Sequence, residues 1–378
     1  MRWLIRAMSE KIRVLVVDDS AVIRRAVIQA IKEVDDMEVV AVAANGQEAI
    51  TRYIEYRPDV VTMDVIMPKM DGLSALRFLV KEYRAPVIML SGLTKEGANI
   101  TLRSLDAGAV DFITKPQKGS MLLNFQFLKE ELTSKIRTAA KVNFDSNIIL
   151  SSETSGVEAD ADVDKDVKRK SIYGYTKEEL NRLSENKVVV IGASTGGPKA
   201  IEYILSKMQG KFPAGIVVAQ HMPQFFTRFF AERLNRTTSL NVNEARNGDI
   251  IEGGRVLVIP GEHDVKISKV FLAPQIELEA KEVENNSATP SIDTLFYSAA
   301  ATFGRKTLGI ILTGMGKDGY KGLKAIKIMG GKTIAQDERS SLVFGMPRSA
   351  INAGVVDSVM SLYQIPGMIE NVINNDSN

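Results

Sequence analysis

Arg13–Ser20 reads RVLVVDDS: four apolar residues in a row, then two acids and a serine. So short and apolar a run is a strand covered on both faces, and the polar end marks where the chain turns to start a helix. Working outward, Val39–Ala43, Asp59–Met63, Pro86–Leu90 and Ala109–Ile113 repeat the strand pattern, rich in Val and Ile. Ser20–Val34 and Gly72–Glu82 between them carry apolar residues at helical spacing. Five strands alternating with helices predict a parallel sheet wrapped on both faces, an α/β fold. Chemistry in such a sheet sits beyond the carboxyl ends of its strands.

The same alternation resumes at Lys187 with Val188–Ile191, Gly215–Ala219, Arg255–Ile259 and Leu308–Leu312 as strands. Helical patterns fall at Lys199–Met208, Phe225–Leu234, Ile292–Ala301 and Gly319–Ile328, predicting a second, doubly wound α/β domain. Between the two, Asp145–Lys170 holds seven acids, several serines and few large apolar side chains, a composition that cannot offset chain entropy by burial. The expected organisation is a first domain over 11–138, a linker over 139–186 that starts in a helix continuing from Met121, and a second domain over 187–374.

Composition narrows the chemistry. The 378 residues include no cysteine and two histidines, with a formal net charge of +2. Thiolate nucleophiles, disulfides and cysteine-held metals are excluded, and so is a three-histidine metal site. The balanced charge nominates neither nucleic acid nor a membrane surface as partner. The opening MRWLIRAM is interrupted by charge too early for a signal peptide, and Met8 is a plausible start. No apolar window is long enough to span a membrane, so a cytoplasmic protein is expected.

Asp18 and Asp19 directly follow the first strand, Asp64 the third, Ser91 the fourth and Lys115 the fifth. Singly, each acid reads as a helix cap or loop residue. Together at neighbouring strand ends they form an acid cluster suited to Mg²⁺, with an ammonium and a hydroxyl beside it, an arrangement fit for phosphoryl transfer to a carboxylate. Residues Val16–Ser20 (VVDDS), Met63–Gly72 (MDVIMPKMDG), Ser91 and Thr114–Pro116 (TKP) resemble the receiver domain of two-component response regulators. The resemblance implies a flavodoxin-like five-stranded sheet, with Asp64 as phospho-acceptor, Asp18, Asp19 and Asp64 at the Mg²⁺, Lys115 as phosphate partner, Ser91 as switch hydroxyl and Phe112 as the rotating aromatic.

In the second half, Ile191–Pro198 reads IGASTGGP between a strand and a helix. Gly192–Gly196 fits G-x-S-x-G, in which small neighbours allow a sharp turn that exposes the serine. A glycine-rich turn at a helix start also suits a phosphate ligand, although neither common nucleotide fingerprint is matched. Ser194 would need a base. His221 follows the next strand and His263 the one after, and spacing does not choose between them. Asp318, in the glycine-rich loop Thr313–Gly319 (TGMGKDG), is the best-placed carboxylate to orient an imidazole. The order Ser, His, Asp is not that of the α/β-hydrolases.

IGASTGGP, VVAQHMP (Val217–Pro223), TPSIDTLFYSAA (Thr289–Ala300), ILTGMGKDG (Ile311–Gly319) and AQDERSSLVFGMPRSA (Ala335–Ala350) resemble one family, the chemotaxis protein-glutamate methylesterases known as CheB. The resemblance implies Ser194 as nucleophile, His221 as base, Asp318 as orienting acid, Thr195 as a supporting hydroxyl and the Met315 backbone N–H in the oxyanion hole, with no metal in that site. It implies hydrolysis of glutamate γ-methyl esters on methyl-accepting chemoreceptors, deamidation of receptor glutamines, and phosphorylation by the chemotaxis histidine kinase. The unphosphorylated receiver is expected to block the Ser194 cleft. Some members end in an aromatic tether for the receptor; this chain ends NVINNDSN, so docking is expected on the catalytic domain and the kinase. The rival expectation is a response regulator whose second domain binds a partner or a phosphate ligand without catalysis.

Overall fold

The structure is a computed structural model that describes residues 11–115, 121–142, 174–280 and 290–375. Most of the acidic linker and the N-terminal MRWLIRAM lie outside the described residues. The chain divides into two compact units, Met1–Ser152 and Glu153–Asn378.

The first unit runs β1 (Ile12–Val17), α1 (Ala21–Lys32), β2 (Met37–Ala43), α2 (Gly46–Tyr56), β3 (Val60–Asp64), α3 (Gly72–Tyr83), β4 (Val87–Ser91), α4 (Lys95–Asp106), β5 (Asp111–Thr114) and α5 (Met121–Ala139). Its strands form one sheet in the order β2-β1-β3-β4-β5, every pair parallel. Val14–Val17 and all of β3 and β4 are buried, as strands covered by helices on both faces should be. β2, β3 and β4 each hand over to a helix through a polar cap: Asn45, Asp71 and Thr94 accept from Glu48, Ser74 and Gly97 N–H at 3.0, 2.7 and 3.0 Å. The last strand begins two residues later than the apolar run Ala109–Ile113, although Ala109 and Val110 are buried and Val110 N–H already donates to the Val87 carbonyl at 2.8 Å.

The second unit opens with α6 (Lys177–Glu185), followed by β6 (Val188–Ala193), α7 (Gly197–Ser206), β7 (Gly215–Gln220), α8 (Gln224–Thr237), β8 (Asn241–Glu244) and β9 (Arg255–Val258). Then come the hairpin β10 (His263–Val270) and β11 (Ala273–Ala280), α9 (Ile292–Phe303), β12 (Thr307–Ile311), α10 (Tyr320–Ile328), β13 (Lys332–Gln336), α11 (Met346–Asn352), β14 (Ser358–Met360) and α12 (Ile365–Asn375). Seven parallel strands lie in the order β14-β13-β12-β6-β7-β9-β8. From β6 the chain first builds outward on the β7 side and later on the β12 side. The switch point therefore falls between β6 and β12.

Several features of this unit depart from the sequence expectation. α6 falls inside the segment expected to be linker. Thr176 and Glu179 close a reciprocal capping box there, with bonds of 3.2 and 2.7 Å, and Leu183 is buried with Ile250 and Ala273. β8, β13 and β14 were not anticipated, since NVNE, KTIAQ and SVM are too short or polar to announce themselves. The hairpin is a separate two-stranded antiparallel sheet. Among the described residues no helix is long and apolar enough to cross a membrane.

α9 is the second unit's central packing element, with Ile292, Leu295, Phe296, Ala299 and Ala300 buried in the main core cluster. Phe296 is fully buried. Its replacement by alanine should lower the stability of this unit by about 3–5 kcal/mol, read as a lower urea midpoint.

Candidate active site

Among the described residues, two clusters of chemically competent side chains emerge, one in each unit, and each lies at the carboxyl edge of its sheet.

In the first unit β1 and β3 are neighbours in register, Val17 beside Met63, so the residues that follow them meet. One carboxylate oxygen from each of Asp18, Asp19 and Asp64 lies within 4.8 Å of the others. Lys115, held by its N–H to the Ser91 carbonyl at 2.8 Å, places its ammonium 2.7 Å from both Asp18 and Asp64. Burial pushes the Asp64 carboxyl up to about 6; the Lys115 hydrogen bond and charge pull it down, and the Asp18 charge adds to the rise. One ammonium against three carboxylates leaves surplus negative charge in a half-desolvated site. Hard oxygen donors so arranged fit a divalent cation such as Mg²⁺. Ser91 is fully buried and its Oγ accepts from Thr101 at 2.7 Å. Phe112 is buried too, with the Lys135 ammonium 2.5 Å from its carbonyl and 5.5 Å from its ring centroid. The structure thus gathers Asp18, Asp19, Asp64 and Lys115 into one cluster. Ser91 sits at the next strand end, and Phe112 lies inside the sheet's cover.

In the second unit the register does the same work. Ala193 pairs with Gln220, so Ser194 and His221 leave adjacent strands side by side, and His221 N–H donates to the Ala193 carbonyl at 3.0 Å. Gly192 pairs with Ile311 on the other side, which starts the loop 312–319 at the same edge. Asp318 in that loop lies 2.9 Å from His221 Nε2. Asp318 also accepts from the N–H groups of Ile292 and Asp293 at 2.8 and 3.0 Å, the free donors at the start of α9. Burial by itself would raise the Asp318 carboxyl, but the His221 hydrogen bond and charge, with those two N–H groups, hold it below the usual carboxylate range. With an ionised Asp318 as acceptor, Nε2 carries the imidazole proton and Nδ1 is left for the serine side.

His263 stands apart from this pairing. It begins β10, and its Nδ1 lies 3.2 Å from the Gly261 carbonyl. Thr195 is buried, and its carbonyl accepts from Thr313 Oγ1 at 2.9 Å. Gly314 packs so closely that a Cβ there would come within 2.7 Å of the Ser194 Cβ, and Met315 follows it in the loop, 39% exposed. The Gly314 carbonyl is occupied by the Gly345 and Met346 N–H groups at 3.1 and 2.9 Å.

Two buried glutamines escaped the sequence reading. Gln220 Nε2 donates to the Ser194 and His221 carbonyls at 3.0 and 3.1 Å, tying the two loops together. Because both partners are carbonyls, Oε1 points the other way, at Gly197, where a Cβ would come within 2.1 Å of it. Gln336 fixes the opposite side, accepting from Thr313 N–H at 2.8 Å and donating to the Ser340 carbonyl at 2.6 Å. Strand patterning treats both as ordinary polar strand ends. The clue is that VVAQH and TIAQ place an amide where an apolar strand enters a loop.

A sheet with an acid cluster of this kind, joined to a doubly wound sheet with serine, histidine and aspartate at its switch point, defines a response regulator with an enzyme-type output domain. The family model "CheB methylesterase" matches residues 189–369, and "Response regulator receiver domain" matches 14–125. The chain is similar to the protein-glutamate methylesterase/protein-glutamine glutaminase of Pyrococcus horikoshii, with 42% identity over 95% of this chain and 93% of that one. It is similar to the protein of the same name from Thermotoga maritima (42%, 94% and 96%) and to that from Escherichia coli (40%, 94% and 95%). The chain belongs to the CheB methylesterase family and carries that family's N-terminal receiver domain.

Gly197→Ala should push Oε1 away and break the Gln220 bridge. The expected loss is about 1–3 kcal/mol, seen as a lowered urea midpoint, with Gly367→Ala, on open surface, as the control that stays near the parent.

Proposed function

We propose that this chain is the adaptation enzyme of a chemotaxis system: it hydrolyses glutamate γ-methyl esters on methyl-accepting chemoreceptors and deamidates receptor glutamines, under control of phosphorylation at Asp64. The observation that carries the reading is the 2.9 Å pairing of His221 with Asp318 at the strand edge that also exposes Ser194, in a chain similar throughout to relatives bearing that activity in their names.

Ser194 is the nucleophile on this reading. His221 Nδ1 takes the hydroxyl proton as Oγ attacks the ester carbonyl. Asp318 holds the imidazole by Nε2 and stabilises the charge it gains. The tetrahedral oxyanion sits against backbone N–H groups that include that of Met315, while Thr195 supports the histidine side. His221 then returns the proton to the departing methoxide, releasing methanol and leaving an acyl-serine. Water repeats the sequence on the acyl-enzyme, giving glutamate and free Ser194. A glutamine side chain follows the same course with ammonia as leaving group.

Asp64 is the phospho-acceptor, with the chemotaxis histidine kinase as donor. Asp18, Asp19 and Asp64 would hold a Mg²⁺, which when bound supplies charge neutralisation for phosphoryl transfer. Lys115 pairs with the phosphoryl oxygens, and Ser91 and Phe112 report the modified state. No metal serves the esterase site, and no nucleic acid or inserted membrane segment takes part; the enzyme works in the cytoplasm on the receptors' cytoplasmic helices.

Methanol release from methylated receptor should rise when a small phosphodonor and Mg²⁺ are added, and Asp64→Asn should remove that rise. Ser194→Ala and His221→Ala should each lower turnover by about 10³-fold or more, whereas His263→Ala should keep most of it. Wild-type protein that releases no methanol, or a Ser194→Ala protein that still does, would overturn the reading.

A further inference from the structure

α9 and α10 start at the same place and face each other across Asp318. The N–H groups of Ile292 and Asp293 at the start of α9 bind the Asp318 carboxylate. Asp293 returns the contact, its own carboxylate taking the Gly322 N–H in the first turn of α10 at 2.7 Å. Gly322 is pressed against α9, where a Cβ would come within 2.4 Å of the Phe296 Cβ and 2.9 Å of the Asp293 carbonyl. The loop that carries Asp318 is thus clasped from both sides, one acid held by the other's helix.

We propose that Asp293 is a positioning residue for this reaction: its carboxylate closes the clasp that holds Asp318 against His221, and its negative charge supports the charge that His221 gains. The inference rests on the esterase reading above. Asp293 is the residue in this arrangement that bonds to α10 by its side chain and to Asp318 by its backbone. The charged groups facing it are Asp318 from the loop after β12 and Lys321 on α10. Asp264, at the start of β10, binds the Ser291 N–H at 3.1 Å on the neighbouring turn. Burial raises the Asp293 carboxyl, the Gly322 N–H lowers it, and the Asp318 charge raises it again. The two acids are therefore electrostatically coupled while being separately bonded.

Asp293→Asn separates the two contributions, because its amide oxygen can still accept from Gly322 N–H while the charge is gone. In full-length protein with methylated receptor, the acid limb of kcat/KM against pH should move to lower pH by about half a unit. KM should change little, and kcat at the plateau should fall about 3–10-fold. Lys321→Gln, at an exposed position, removes the facing positive charge and should move the same limb upward. Asp293→Ala, which loses the bond as well, should lower kcat further than Asp293→Asn. Asn and Lys321→Gln proteins whose acid limbs coincide with the parent's, with any loss confined to thermal stability, would overturn the proposal. Should Asp293→Asn fail to fold, the direction of the Lys321→Gln shift decides. Absence of methanol release from the parent chain would instead strike the esterase reading itself.

Discussion

The second unit depends on one register. Parallel β6 ends in step with β7 on one side and β12 on the other, Ala193 beside Gln220 and Gly192 beside Ile311. Parallel ladders space their bonds evenly, so neighbouring strands that end together deliver their following residues to one small area. Ser194, His221 and the loop bearing Asp318 share an edge for that reason, although 97 residues separate the latter two. The arrangement also needs room. A Cβ at Gly192 would come within 2.3 Å of Ile292 Cγ2, so the glycine lets α9 sit low enough for its first N–H groups to reach Asp318. Gly196, with φ of +80°, then turns the chain into α7.

How much of this could be read in advance follows from which forces are local. The apolar runs and the strand-end acids are local signals, and they placed β1, β3, β4, β6 and β12 and the cluster at Asp18, Asp19, Asp64 and Lys115. The catalytic candidates were legible as residue types, yet periodicity left His221 and His263 level. What sets them apart in the structure is a bond across the sheet, Asp318 to His221, and a strand pattern has no term for that. Gln220 shows the limit more sharply. Its amide bridges two carbonyls from separate loops, and nothing in its local surroundings distinguishes it from a solvated strand end. α6 was hidden for another reason. Its sequence is strongly polar apart from Leu180 and Leu183, so its place depends on burial of Leu183 with Ile250 and Ala273 from elsewhere in the chain.

Scarcity of residue types shapes both sites. Without cysteine and with two histidines, the chain has oxygen nucleophiles and carboxylates to work with. Each unit meets the resulting charge with backbone bonds and one nitrogen-bearing side chain. Lys115 is anchored through its own N–H to the Ser91 carbonyl, so the ammonium reaches Asp18 and Asp64 from a fixed point on the sheet edge. His221 is anchored likewise through its N–H to the Ala193 carbonyl before it meets Asp318. In both units a backbone bond at the strand end fixes where a side-chain cation or its precursor stands.

The two carboxylates at the centre of those sites are pushed in opposite directions, and the difference lies in donors rather than in depth of burial. Asp64 and Asp318 are both largely buried, and burial acts on both to disfavour the charged form. Asp318 receives two helix N-terminal N–H groups and the imidazole, enough to pull it below the ordinary range. Asp64 has Lys115 and a long 3.4 Å bond from Ile66 N–H, too little to offset burial and the Asp18 charge, so it rises to about 6. A carboxylate whose negative charge is fully met by fixed donors is suited to stay ionised and orient a neighbour. A carboxylate with unmet charge among other acids is suited to take on a cation and an electrophile. On the proposed reading, the division of labour between an orienting acid and an acceptor acid follows from how many N–H groups the local backbone can aim at each.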